Sequence, residues 1–386
     1  LPVELLLESL FNGLAIGSVL LIAALGLAIV FGLMGVINLA HGELIMLGAY
    51  TTYVVQLIFK QPALLPVYDM YLIVALPIAF VVSGVVGILL ERTIIRRLYG
   101  NPLETLLATW GVSLILQQFV RSVPLAYGAG LVLALLIGFL LPALLPERLQ
   151  LQMSSRWLRL GSWALGALVG VVSAGGLAAA IRKLGRPDAR NVDVTAPAWM
   201  RGGIEWMDVT FPVPRLVIIV ITVLALVAIA WFLNRSVWGL RMRAVTQNRS
   251  MSDCLGISTD TVDVLTFGIG SGLAGIAGVA VSMLGSVGPN VGSSYIVACF
   301  MVVVLGGVGN LLGTVIASLA IGVLTDLIGA GRLLTLWPGM PTPLESTVQF
   351  FATTSMARVL VFALIVVFLQ FRPAGLFPQK GRMVEA

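Results

Sequence analysis

Val264 to Thr325 reads VLTFGIGSGLAGIAGVAVSMLGSVGPNVGSSYIVACFMVVVLGGVGNLLGTVIASLAIGVLT, with Asp263 before it, Asp326 after it and no charged side chain within. As helix at 1.5 Å per residue this run would reach ~93 Å, about three times the ~30 Å hydrocarbon core of a bilayer. Two breaker clusters interrupt it, Gly285-Ser-Val-Gly-Pro-Asn290 and Gly306-Gly-Val-Gly-Asn310. The run therefore reads as three passes, with the pieces around Gly306 open to a re-entrant reading instead. The rest of the chain agrees, being 59% hydrophobic and 10% charged with a mean hydropathy of +1.04. A soluble domain carries roughly 25% charged residues, so this composition excludes a soluble enzyme, a nucleic-acid binder and a disordered hub.

Eight further charge-poor runs are candidate spans: Leu10–Val36, Leu39–Phe59, Met70–Leu90, Leu103–Val120, Gly128–Leu145, Leu160–Ile181, Leu216–Leu233 and Val359–Phe371. Together with the three passes they predict an all-α polytopic bundle of about 9–11 crossings with broken or re-entrant helices. Basic residues gather in three places: Arg92, Arg96 and Arg97; Arg235, Arg241, Arg243 and Arg249; and Arg372, Lys380 and Arg382. Short basic loops face the cytoplasm, which puts all three inside, and a start without Lys or Arg, read as outside, then requires an odd number of crossings. Eleven satisfies it. The first ten residues lack the basic end of a secretory signal, so the first apolar segment is expected to stay in the mature protein.

The chain divides into residues 1–126, an N-terminal helical group; 127–193, an apolar insertion; 194–233, an external loop and helix; 234–262, a cytoplasmic segment; and 263–386, the C-terminal helices and tail. Residues 127–193 admit two readings, an extra membrane hairpin or an apolar piece on the outer surface. The hairpin preserves parity and keeps Arg148, Arg156 and Arg159 inside.

Chemistry has little to build on. No G-x-x-x-x-G-K-[ST] phosphate loop occurs, and one histidine and two unrelated cysteines offer neither a metal cluster nor a Ser-His-Asp triad. The chain is not expected to be an enzyme, and no cofactor or metal is expected on it. Function then lies in a path through the membrane, where ionisable residues are costly enough to signal a role. Gly32-Leu-Met-Gly-Val-Ile-Asn-Leu-Ala-His-Gly-Glu43 concentrates such residues, with Asn38, His41 and Glu43 as candidates. Asn38 also suits a helix cap, with Glu43 near the positive end.

Asn101-Pro-Leu-Glu-Thr105 reads as a helix start. Beyond it Thr105, Thr109, Ser113 and Gln117 recur four apart on one face, a stripe that either glues helices or lines a hydrated path. Gly268/Gly272, Ser271/Gly275 and Ala274/Gly278 are small-x-x-x-small pairs that favour close helix packing. Gly306, Gly307, Gly309 and Asn310 form a break open to both a hinge and a lining role. The stretch from Asn234 to Asp260 mixes arginines with Met251, Leu255 and Ile257, which suits a helix docked on a partner protein or resting on lipid.

At these residues the chain resembles a permease subunit of the branched-chain amino-acid and urea family of ABC importers, and most closely the urea-type permease. The resemblance rests on Gly26-Leu-Ala-Ile-Val-Phe-Gly-Leu-Met-Gly-Val-Ile-Asn-Leu-Ala-His-Gly-Glu43, Glu104–Gln117, Met251-Ser-Asp-Cys-Leu-Gly-Ile257, Gly285–Tyr295, Val304–Gly313 and Arg372-Pro-Ala-Gly-Leu-Phe-Pro-Gln-Lys-Gly381. It implies a multi-pass protein of the bacterial inner membrane that takes up urea beside a second related permease, two cytosolic ATPases carrying ATP and magnesium, and an external binding protein. It further implies coupling to the ATPase through a short cytoplasmic helix of E-A-A-x-x-x-G type. Here that helix reads Ser250-Met-Ser-x-x-x-Gly256, with Arg249, Ser250, Met251, Asp253, Leu255 and Gly256 as the contact set. The glycine is kept and the Glu-Ala-Ala is not.

A path for urea needs amides, hydroxyls and bare carbonyls, offered by Asn38, Thr109, Gln117 and Gly306–Gly309. Import of branched-chain amino acids or short amides is the nearest alternative. It calls for fixed charge, of which only Glu43 stands out along the path. A passive urea channel or secondary transporter is the alternative of another class, and would not need the 234–260 segment.

Overall fold

The fold is taken from a computed structural model, which describes residues 2–62, 64–144, 155–183, 191–206, 209–332, 349–350 and 352–377. Eleven long helices follow one another among them: α1 (Pro2–Met34), α2 (His41–Phe59), α3 (Tyr71–Thr93), α4 (Pro102–Ser122), α5 (Leu125–Leu144), α6 (Ser155–Lys183), α7 (Val213–Arg235), α10 (Thr259–Leu284), α11 (Val291–Gly306), α12 (Leu311–Gly329) and α13 (Thr354–Phe371). Two short helices, α8 (Val237–Gln247) and α9 (Arg249–Cys254), lie between α7 and α10. Eight helices are long and apolar enough to cross a membrane, and three shorter apolar stretches, Leu125–Gly138, Val291–Gly306 and Met356–Phe371, join them. The uncharged run breaks where its glycines and proline predict, at 285–290 and 307–310. Arg148, Arg186, Arg190, Lys380 and Arg382 lie outside the described residues, as do residues 145–154 and 184–190 of the insertion and the end of the tail motif.

The core is built on α1 and α10. Both are largely buried along their apolar spans, as expected of helices surrounded by other helices. Small residues let α10 touch three neighbours at backbone distance. A Cβ on Gly270 would stand 2.7 Å from the Gly26 carbonyl oxygen of α1; one on Gly275 would meet the Ser83 hydroxyl of α3 at 2.7 Å; one on Gly278 would meet the Ala49 amide of α2 at 2.6 Å. Ile22, Ala24, Leu44, Ala277 and Val302 fill the space between them.

One end of the bundle is tied by the segment 191–212. Its Val192 forms an antiparallel bridge to Val287 between α10 and α11, and the Thr195 carbonyl accepts from Gln56 Nε2 at 2.9 Å and Tyr71 Oη at 2.7 Å. A two-stranded hairpin, β1 (Gly203–Trp206) with β2 (Val209–Pro212), closes the same end. The opposite end carries Arg96, α8 and α9. The insertion forms an antiparallel pair, α5 against α6. Gly130 meets Ala174, Gly166 meets Ala134, and Ser162 Oγ donates to the Gly138 carbonyl at 3.3 Å, a spacing that runs in opposite directions on the two helices.

Candidate functional site

α1 is long, but α2 does not begin where α1 ends. Gly35 takes a positive φ of 69°, the chain turns back without helical structure through residue 40, and His41 Nε2 then meets the Ala23 carbonyl of α1 at 2.9 Å. Ala23 is eleven residues before Met34, ~16 Å along the helix. The N-terminus of α2 is therefore buried inside the bundle.

A backbone that leaves helical structure in such a place needs internal partners, and the sequence supplies them. Leu39 N donates to Thr109 Oγ1 at 3.2 Å, and Ala40 N to Asn38 Oδ1 at 3.0 Å. Asn38 thus serves the helix start from two residues upstream. The N-cap position itself is Ala40, whose small side chain makes no cap bond. At the start of α4 the expected cap residue Asn101 likewise makes no side-chain cap; its amide donates to the Glu104 carboxylate at 3.2 Å.

The polar stripe on α4 faces this break. Ser113 Oγ and Gln117 Nε2 both donate to Glu43 Oε1 at 3.0 Å, and Thr105, Thr109 and Ser113 are buried. Glu43 is 1% exposed and lies in the first turn of α2, at the favourable end of its dipole. Its Oε2 is buried with no hydrogen-bond partner among the described residues, as are His41 Nδ1 and Asn38 Nδ2.

A second helix begins against the first. A Cβ added to Gly42 would meet the Gly292 carbonyl oxygen at 2.5 Å, and one added to Gly292 the Glu43 amide nitrogen at 2.9 Å. The N-termini of α2 and α11 thus meet through two glycines, in the manner of discontinuous helices around a transporter's site.

Asn38, His41, Glu43, Thr109 and Gln117 are brought together. Gly306, Gly307, Gly309 and Asn310 are not among them. They form the α11–α12 turn, where Gly307 and Gly309 adopt φ of 98° and 83°. Gly306 packs on Gly313, Gly309 on Gly32, and Gly307 lies against the tail at Phe377. Asn310 caps α12 through Gly313 N, and Leu376 N donates to the Leu305 carbonyl at 2.8 Å.

One residue of the site is not singled out above. Arg121 bonds Asn290, just before α11. Its signal was the spacing itself, since 121 continues the series 105, 109, 113, 117.

At the opposite end, Arg249, Ser250, Met251, Asp253, Leu255 and Gly256 are exposed around α9. Asn248 Oδ1 accepts from Met251 N at 2.9 Å to cap the helix. Gly256, at φ 80°, ends it with Ile257 N bonding the Ser252 carbonyl at 3.0 Å, a left-handed glycine stop. Arg249 pairs with the buried Asp263 of α10 at 2.5 Å and stacks over Tyr99. Arg96 reaches both Glu91 at 3.5 Å and Asp260 at 3.3 Å. Burial, then the Asp263 and Glu91 carboxylates, raise the Tyr99 phenol above its usual range. The exposed helix α9 is thereby fastened to α10 and to Tyr99 in the α3–α4 connection, and Arg96 ties that connection to α3 and α10.

A family model described as the branched-chain amino acid transport system permease component matches residues 9–122 and 106–369. The chain belongs to that permease family. Similar members include the high-affinity branched-chain amino acid transport system permease protein LivH of Salmonella typhimurium, 26% identical over 96% of this chain and 94% of the relative. LivH of Escherichia coli K12 is 25% identical with the same coverage, and BraD of Pseudomonas aeruginosa is 26% identical over 96% and 95%. No solved structure matches the chain. The permease family expected from the sequence is thus shown, while the urea subtype finds no support among these relatives.

Proposed function

We propose that this permease is the translocation subunit of an ATP-driven importer for amino acids with branched apolar side chains. The observation that carries the reading is the placement of charge on two facing helices: Gln117 of α4 bonds Glu43 of α2 at 3.0 Å and Arg121 stands one turn beyond Gln117 on the same face, so both signs that a zwitterion needs are at hand. The relatives named above are branched-chain amino acid permeases, which supports the same substrate. The working assembly adds a second permease, two cytosolic ATPases and an external binding protein. The α8–α9 end faces the cytoplasm and meets an ATPase through Met251, Leu255 and Gly256, with the N-terminus outside. Movement of α9 passes to the path through the Arg249–Asp263 pair and α10.

Urea is the second reading, favoured by the hydroxyl and amide groups of Thr109, Ser113 and Gln117. Uptake of radiolabelled L-leucine and of urea into cells carrying the whole transporter, with the partner ATPase intact or disabled, tests both. ATPase-dependent leucine uptake is expected. Leucine flux that survives the disabled ATPase, or ATPase-dependent uptake of urea alone, would overturn the proposal.

A further inference from the structure

A cavity of about 750 Å³ opens one helical turn beyond the Glu43 pair. On α2, Leu47 is four residues past Glu43 and lines the cavity with Tyr50 and Val54; on α4, Arg121 is four past Gln117 and lines it with Phe119. Residues four apart share a helix face, so the face holding Glu43 and Gln117 runs directly into the cavity wall. That wall is mainly apolar, with Arg121 as its charged lining residue. A volume of this size is in the range that encloses a small ligand.

Three features therefore follow one another along this face. Glu43 presents a buried carboxylate oxygen, Oε2, with no partner among the described residues. Arg121 supplies a cation one rung along the stripe, ~6 Å beyond Gln117 along the axis of α4. The apolar cavity lies beside Arg121, and Glu43 is set one turn back from its wall. Resting on the amino-acid reading above, we infer that the permease itself holds an α-amino acid here during transport. The substrate's ammonium lies on Glu43 Oε2, its carboxylate on Arg121, and its aliphatic side chain among Leu47, Tyr50 and Val54. Arg121 must exchange its bond to Asn290 for the substrate. The opposed charges select an α-amino acid over any compound carrying one charge, and the cavity selects an apolar side chain over none.

The test is equilibrium binding of tritiated L-leucine to the purified permease–ATPase complex, without the external binding protein. Competitors are 3-methylbutylamine, which lacks the carboxylate, 4-methylpentanoate, which lacks the amine, and glycine, which lacks the side chain. Saturable binding is expected, with each competitor at least about tenfold weaker than leucine, the scale of one lost charged hydrogen bond. Arg121→Gln should weaken leucine about tenfold and erase its advantage over the amine. Arg121→Lys should restore part of that advantage. Asn290→Ala separates the roles: it breaks the same contact but leaves the cation, so the leucine-to-amine ratio should stay near wild type.

Absence of saturable binding to a complex that still imports leucine would overturn this inference and leave the proposed function standing. An unchanged ratio in Arg121→Gln, or an Asn290→Ala variant that loses the ratio equally, would overturn it too. Failure of energised leucine uptake in the wild type strikes the proposed function instead.

Discussion

Ser113 Oγ and Glu43 Oε1 lie 3.0 Å apart although 70 residues separate them in the chain. The contact joins the first turn of α2 to the middle of α4, two elements whose direct packing is otherwise sparse. A hydroxyl is spent on a carboxylate inside an apolar bundle, where each such group must find a partner. α4 is thereby registered against the α1–α2 break, and Gln117 and Thr109 fall opposite Glu43 and Leu39 by the four-residue repeat.

Glu43→Gln keeps the size of the side chain and an acceptor for Ser113 but removes the charge. Glu43→Leu removes both. The first variant should reach the membrane at wild-type level with leucine uptake reduced at least about tenfold, the loss of one charged interaction. The second should also lower thermal stability in detergent, because Ser113 and Gln117 are left unsatisfied at about 1–3 kcal/mol each. Uptake by Glu43→Gln at the wild-type rate would show that the carboxylate serves only the fold.

Gly42 and Gly292 have no room for a side chain. Alanine at either position must push α2 and α11 apart, an overpacking cost of about 1–3 kcal/mol, and leucine more. Size-exclusion melting profiles should show Gly292→Ala losing several degrees and Gly42→Leu failing to yield a monodisperse peak. If Gly42→Leu melts like wild type, the two helix starts do not meet at these glycines.

Much of this was legible beforehand, and the reasons are local. Hydropathy fixes the number of apolar helices because a bilayer demands length, and Gly285–Asn290 and Gly306–Asn310 stop helices by backbone conformation alone. The stripe on α4 was visible as a four-residue repeat. Its partner was not, since nothing in the spacing of Gly32–Glu43 says that α2 starts level with Ala23, or that Gly42 would face Gly292. Those facts depend on tertiary packing of glycines whose neighbours lie far away in sequence. Arg121 was overlooked for a different reason: at the end of a helix an arginine reads as a loop charge, and only its register with Gln117 places it on the face that meets Glu43. The Gly306–Asn310 turn shows the converse. A helix break suggested a lining, while the tail residues Gly375–Phe377 fill the space beside it.

Gly256 tests the platform without touching the bundle. A Cβ there would meet nothing within 4 Å, so crowding within this chain is not at issue; conformation is. A β-branched residue at positive φ is strained by about 1–3 kcal/mol, and relaxation would swing Leu255 and Met251 away from their present directions. Gly256→Val should insert and assemble normally yet lose transport, with partner ATPase activity no longer rising on substrate delivery. Gly256→Asn, which tolerates the left-handed region, should retain most uptake. Equal loss in both variants would point to side-chain bulk at the interface rather than to the turn.

The Arg249–Asp263 pair carries the sharpest test of how α9 is held. Asp263 is 3% exposed at its side chain while Arg249 is 43% exposed, so the two deletions are not equivalent. Arg249→Ala leaves a buried carboxylate without its cation, a cost of about 1–3 kcal/mol or more; Asp263→Asn leaves a solvated arginine, which costs little. The order of uptake should therefore be wild type, then Asp263→Asn, then the double variant, with Arg249→Ala lowest. Because the second change removes the orphaned charge, the double variant should recover part of what Arg249→Ala loses, a coupling of about 1 kcal/mol or more. Simple additivity of the two losses in melting temperature and in uptake would mean that the pair is not what fastens the platform to α10. In that case the stacking of Arg249 on Tyr99 at 5.1 Å becomes the contact to remove next, and Tyr99→Leu should then reproduce the Arg249→Ala loss.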